Sequence, residues 1–226
     1  MEEFIQYLSD IINDKKIILL KDNKIIIEEK NENAKLKEIE IEFNKKRFEV
    51  LHISLDENNF ENDREKIGIY AIFKKEICSS VDGILFVYDK RYERHYIFHI
   101  ELKSSTKNPG NILKKQITSV ETMNFILSQI YLKFVIDFES IKFPEKIYCA
   151  TIVFYKKKNA SKIEITKRNY GIQKFKGNFS KKYYYYTRET LTKIDKIKLE
   201  SLCNLDEYSE QEITLREVIK QRNWNF

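Results

Sequence analysis

Proline and glycine are scarce: the 226 residues include two prolines and five glycines. So few chain breakers exclude a long flexible linker. The three cysteines, Cys78, Cys149 and Cys203, are far apart and odd in number. No CxxC or CxH cluster accompanies them, which argues against a structural zinc site. They fit free, buried thiols in a reducing compartment. No apolar run approaches the length of a membrane span. The first residues, MEEFIQYLSDIINDKK, are acidic and amphipathic, the wrong character for a secretory signal. A cytoplasmic protein with no membrane partner is expected. No GxxxxGK[ST] loop is present, so any ATP use must come from another chain. The three histidines have no paired His/Asn motif around them, and an HNH-type centre finds no support.

What is present is charge and aliphatic bulk: 34% charged and 42% hydrophobic residues, with a net charge of +6. That composition suits a soluble globular chain with one core and room for elaboration. The charge is unevenly spread. Residues 140–188 hold 13 Lys/Arg against only Glu145 and Glu164, a local excess of +11, and the remainder carries −5. A single segment holding the whole positive excess is the footprint of a surface facing a polyanion.

Periodicity gives a coarse map. Phe4, Ile5, Leu8, Ile11 and Ile12 recur at helical spacing over residues 2–13. Residues 16–20 and 24–29 are apolar runs separated by Lys-Asp-Asn and read as a hairpin. Residues 37–43 and 47–55 read as strands, and 56–63 as an acidic loop. Asn62 or Asp63 can cap a helix reaching about Ile77, with a strand over 67–73 as the alternative. Residues 81–89 and 96–103 form strong strands around the charged turn 90–94. Pro109-Gly110 breaks the chain, residues 112–138 follow a long helical pattern, and 146–155 is a further strand. A final helix is expected over 210–221. This order predicts an α/β protein with a mixed sheet and helices packed on it.

Chemistry concentrates in Val81-Asp82-Gly83-Ile84-Leu85-Phe86 and Ile97-Phe98-His99-Ile100-Glu101-Leu102-Lys103. Side chains alternate along a strand, so Glu101 and Lys103 share one face and Ile100 and Leu102 the other. Pairing of the two strands brings Asp82 beside Glu101, which places three polar groups on one side. Two close carboxylates repel unless a cation bridges them, and Mg²⁺ prefers such oxygen donors. A metal held there polarises a phosphoryl oxygen and acidifies bound water. Lys103 can position the nucleophile and offset charge on the phosphate. His95 and His99 lie on the same strand and read as half-buried strand residues, although His99 shares the Glu101 face. His52 has no legible partner.

The pattern Asp82, then Glu101-Leu102-Lys103, resembles the PD-(D/E)xK nuclease superfamily, over about residues 61–155. The resemblance implies a restriction-endonuclease-like αβββαβ core at 61–155. Residues 1–60 would pack on it, and 156–226 would form a basic, Tyr-rich elaboration, all within one compact domain. It also implies Mg²⁺-dependent cleavage of DNA, less often RNA, with Mn²⁺ as a substitute. Asp82 and Glu101 become metal ligands, with the carbonyl of Leu102 or Ile100 adding a further ligand. Members often carry a Glu on the preceding helix; Glu65, Glu61 and Glu76 are candidates, with Glu65 preferred. Val81 stands where the family name has Pro. Gln116 matches the Gln that some branches place on the following helix, but Val120 replaces the Tyr of the exonuclease branch and argues against that assignment. Gln116 and Lys115 can touch phosphate or orient water; a plain surface position serves equally for Gln116.

The basic segment interleaves Lys156, Lys157, Lys158, Lys162, Lys167, Arg168, Lys181 and Lys182 with Tyr155, Tyr170 and Tyr183 to Tyr186. Lysines can neutralise phosphates and tyrosines can stack on unpaired bases. The competing account is a solvated strand edge protected by lysine. The function expected is a metal-dependent nuclease, by analogy an effector of restriction or antiviral defence. The alternative is a catalytically silent or partner-activated nucleic-acid-binding subunit, with a helicase or ATPase supplied by another chain. Either reading is compatible with a homodimer.

Overall fold

Two neighbouring runs, Gly83–Asp89 and Arg94–Lys103, are buried along both of their alternating faces. Strands apolar on both faces need a cover on each side, and that requirement organises the fold. The computed structural model describes residues 2–12, 14–20, 22–29, 32–54, 81–103, 119, 122–123, 126–127, 144, 146–156, 165–169, 173–174, 180–181, 184–190, 194–205 and 209–211. In chain order they form helix α1 (Glu2–Ile11), a 3-10 turn at Asp14–Lys16, and strands β1 (Ile17–Ile18), β2 (Lys24–Glu28), β3 (Glu38–Glu42), β4 (Phe48–Ile53), β5 (Gly83–Asp89) and β6 (Arg94–Lys103). Then come β7 (Ile147–Lys156), β8 (Ile165–Asn169), β9 (Gln173–Lys174), β10 (Ser180–Lys181), β11 (Tyr184–Thr190), β12 (Ile194–Lys198), the short helix α2 (Leu199–Cys203) and β13 (Ser209–Gln211).

The chain is mixed α/β. Its large sheet runs β1-β4-β5-β6-β7-β11-β8, and a smaller one runs β12-β3-β2. The β4–β5 and β5–β6 pairs are antiparallel, and β6–β7 is parallel. A parallel neighbour demands a crossover, and the described residues Ser119, Thr122, Met123, Ile126 and Leu127 within that connection are helical. The far edge of β7 is shared: β13 pairs antiparallel with residues 147–149 and β11 pairs parallel with 151–156.

One face of the large sheet buries Ile84, Phe86 and Ile97 against Phe4, Ile5 and Leu8 of α1 and against Met123 and Leu127. The other buries Leu85, Phe98, Ile100 and Leu102 against Ile25, Ile27, Ile39 and Ile41 of the small sheet and Leu199 and Leu202 of α2. The alternating Glu-Ile-Glu-Ile-Glu of β3 supplies such a half-buried strand, each fully buried Ile adding about 1.5–3 kcal/mol. Residues 1–60 thus contribute strands as well as a helix to the packing on the large sheet, because β2 and β3 of the small sheet cover one side.

Two further expectations are corrected. The runs at 16–20 and 24–29 do not pair with each other; β1 joins β4, while β2 joins β3. Their apolar residues serve different layers: Ile17 packs on the α1 side, whereas Ile25 and Ile27 fill the gap between sheets. Asp22 and Asn23, both at positive φ (46° and 62°), make the turn that carries the chain from one sheet to the other. Ser209–Gln211 is a strand, so the helix expected from Glu210 does not begin there. The open backbone edge of β7 at 147–149 claims those residues for hydrogen bonding. The helix-or-strand alternative at 62–77 lies outside the described residues. No described helix is long and apolar enough to cross a membrane.

Candidate active site

The β5–β6 register is Gly83↔Ile100, Ile84↔His99 and onward to Asp89↔Arg94. One step beyond its last pair, Asp82 comes level with Glu101. Asp82 sits in a bend, and Val81 packs with the helix-side cluster, as Ile84 does. Strict alternation therefore breaks between Val81 and Ile84, in the bend that holds Asp82. The Asp82 carboxylate accepts the Leu102 backbone N–H, 2.6 Å from Oδ2. It serves a ladder donor that β5 is too short to reach, as buried backbone groups require.

Glu101 and Lys103 lie on the helix-facing side, opposite the buried Ile100 and Leu102. The Glu101 side chain is fully buried and ion-paired with Lys103, whose own side chain keeps 24% exposure. A lone buried carboxylate would be expensive, and the neighbouring ammonium offsets that cost. Two residues back, His99 is fully buried, with Nδ1 hydrogen-bonded to Ser119 Oγ at 2.9 Å. Burial pushes the His99 ring down to about 3, so it is neutral at ordinary pH. Lys103, not His99, is then the cation facing Glu101. His95, nearer the start of β6, stacks on Tyr88 at 4.6 Å and meets Phe4 edge-on, a packing role.

Gly83 follows Asp82 for a steric reason. A Cβ there would lie 3.0 Å from His52 Nε2 and 3.1 Å from Ile27 Cδ1. His52 thus belongs to the inter-sheet side, directly behind the Asp82 bend. It is buried, and neither ring nitrogen has a hydrogen-bond partner among the described residues. Desolvation holds it down at about 4.

The structure brings together Asp82, Glu101, Leu102 and Lys103. Lys156 ends β7 one residue past Tyr155, the register partner of Lys103, and so reaches the same end of the sheet. Lys167 and Arg168 lie on the edge strand β8, paired with Tyr186 and Tyr185 of β11. Lys181 lies in the separate β9–β10 pair. Glu65, Glu61, Glu76, Lys115, Gln116, Lys157, Lys158 and Lys182 fall outside the described residues. Sequence reading missed Ser119 as the partner of His99; its only signal is its place on the expected helix.

The donor set fits a hard divalent cation. Asp82 and Glu101 offer carboxylate oxygens, the donors such an ion prefers. Among the described residues no group of three or more His, Cys, Asp and Glu side chains assembles, so their share would be two carboxylates plus backbone. No protein-family model, curated protein or solved structure matches the chain.

Proposed function

We propose that the chain is a metal-dependent nuclease hydrolysing phosphodiester bonds, in DNA foremost, on a restriction-endonuclease-like core. The observation that carries this reading is the meeting of Asp82, Glu101 and Lys103 at the adjoining ends of β5 and β6. The run β4–β5–β6, helical residues, then β7 parallel to β6 supports it as an arrangement. Asp82 and Glu101 would hold Mg²⁺ or Mn²⁺, with the Leu102 carbonyl a further candidate. The bound ion supplies Lewis acidity toward a phosphoryl oxygen and a more acidic water. Lys103 pairs with Glu101 in its buried place, and its partly exposed ammonium can donate to a phosphate oxygen or hold the attacking water. The two carboxylates outnumber Lys103, and a bound cation would ease the approach of a phosphodiester to them.

The test uses Asp82→Asn, whose amide oxygen still accepts the Leu102 N–H while the charge is lost. Cleavage of plasmid, linear duplex, single-stranded DNA and RNA is measured with Mg²⁺ or Mn²⁺, with and without chelator. The wild type should cut at least one substrate, and the variant should lose about 100-fold or more, the value of a few kcal/mol of electrostatic stabilisation. Four intact substrates with the wild-type protein would overturn the proposal.

One observation favours a second reading. Glu101 is fully buried and closed by Lys103, as a structural ion pair would be. In that reading the chain binds nucleic acid and cleaves only with a partner, or not at all. Metal-independent, salt-sensitive binding without turnover would select it.

A further inference from the structure

The opposite end of the β5–β6 hairpin has a different character. The turn from Asp89 to Arg94 lies beside the turn at Asn44–Arg47, joined to it by the Lys90 N–H donating to the Arg47 carbonyl at 2.9 Å. Asp89 is fully buried and anchors both turns. It accepts the Arg47 guanidinium through Nε and Nη2 at 2.7–3.2 Å, and its Oδ1 accepts the Arg91 backbone N–H at 3.0 Å. The tip residue Glu93 is held at φ 51°, a left-handed conformation that a non-glycine residue rarely adopts. The backbone that presents Arg91 and Tyr92 is therefore fixed.

Tyr92 stands out from this turn with 48% of its surface exposed. Three guanidiniums surround its ring: Arg91 at 5.3 Å, Arg47 at 5.4 Å and Arg94 at 5.9 Å from the centroid. Alongside, Arg94 and Lys146 lie 5.4 Å and 5.1 Å from the Tyr148 ring. Lys45 and Lys46 are exposed on the neighbouring turn. The acid balance among the described residues is thin. Asp89 is committed to Arg47 and Glu49 to Lys90, which leaves Glu93 at the tip, Glu200 near Arg47 and Glu210, the register partner of Tyr148. Cations gathered around an exposed aromatic ring, with few carboxylates to balance them, are stabilised by an arriving anion, and the ring offers a stacking face.

We propose that this end of the hairpin is a binding surface for single-stranded nucleic acid. Phosphates lie on Lys45, Lys46, Arg91, Arg94 and Lys146, and an unpaired base stacks on Tyr92. An exposed ring among guanidiniums favours the single strand, because a duplex keeps its base faces covered. The surface is separate from the carboxylates: Arg94 and Lys103 are the two ends of a ten-residue strand, about 30 Å apart at about 3.3 Å per residue. It rests on the nuclease reading only for the class of partner, and its own test excludes cleavage.

The experiment measures anisotropy of a fluorescein-labelled dT 12-mer and of a 12-base-pair duplex with the full chain in chelator, over a salt series. Tyr92→Ala should weaken binding of the single strand about 10-fold and leave the duplex within about twofold. Arg91→Ala should lower the slope of log K against log salt by about one. Both side chains are exposed, and matching thermal unfolding of the variants verifies the fold. Wild-type protein that fails to bind the 12-mer, variants that bind it like the wild type, or equal losses on both DNAs would each overturn the proposal. Mg²⁺-dependent cleavage is scored separately. A wild type that cuts DNA while both substitutions leave 12-mer binding unchanged removes this surface and keeps the nuclease. A wild type that never cuts while Tyr92→Ala releases the single strand does the reverse.

Discussion

His52 offers a quantitative test of the inter-sheet packing behind the Asp82 bend. The ring is 97% buried beside Gly83, and desolvation holds it at about 4 in the folded chain. In the unfolded chain it returns to about 6.5. Between these values the unfolded state binds a proton that the native state refuses, so stability rises with pH across the window and falls on acidification. Above about pH 6.5 the group contributes no pH dependence. Integrating the linkage gives a loss of about 2 kcal/mol at pH 5 and about 3 kcal/mol at pH 4. The perturbation is His52→Leu, which removes the titrating group and suits an apolar site. Urea unfolding of both proteins at pH 7.5, 6, 5 and 4 gives the difference in stability at each pH. Other titrating groups, His99 included, are common to both proteins and cancel. The variant should gain on the wild type by about 2 kcal/mol between pH 7.5 and 5. A difference that stays constant with pH would refute the burial argument, whatever its absolute size.

Two further outcomes test the same frame. Asp89→Asn keeps an acceptor for the Arg91 N–H but strands the Arg47 guanidinium, and should cost about 3 kcal/mol in urea unfolding. Adding Arg47→Met should recover part of that loss, because the uncompensated charge is then gone. Gly83→Ala should destabilise by about 1–3 kcal/mol, since its Cβ meets His52 and Ile27 at 3.0–3.1 Å. The loss should shrink in a His52→Ala background.

The parts of this fold that sequence could show are those governed by alternation and spacing. The β5–β6 hairpin is the clearest case. Its apolar runs and charged turn place Asp82 level with Glu101 before any coordinates exist, because an antiparallel register has only two choices of face. The first helix is legible for the same reason, through Phe4, Ile5 and Leu8. What alternation cannot show is which layer a strand joins. Ile17 and Ile25 belong to equally apolar runs three residues apart, yet they enter different sheets, and nothing local distinguishes them. The edge of β7 that captures Ser209–Gln211 is likewise a tertiary fact, since a vacant ladder outweighs a helical pattern. The basic patch around Tyr92 escaped because its cations come from three separate stretches, at 45–47, 90–94 and 146, which only the fold brings together.

The strand β6 now joins two surfaces of opposite sign. Arg94 opens it among guanidiniums, while Lys103 closes it paired with Glu101, near Asp82. On the proposed reading these ends respond differently to metal. A polyanion is drawn to the Tyr92 end without help, whereas at the carboxylate end a divalent cation would offset Asp82 and Glu101. Binding and cleavage should then separate in one titration. Affinity for a single strand should persist in chelator and fall with monovalent salt, while turnover should appear only as Mg²⁺ rises. If chelator abolished binding as completely as turnover, the two ends would not be independent, and the division of labour along β6 would be wrong.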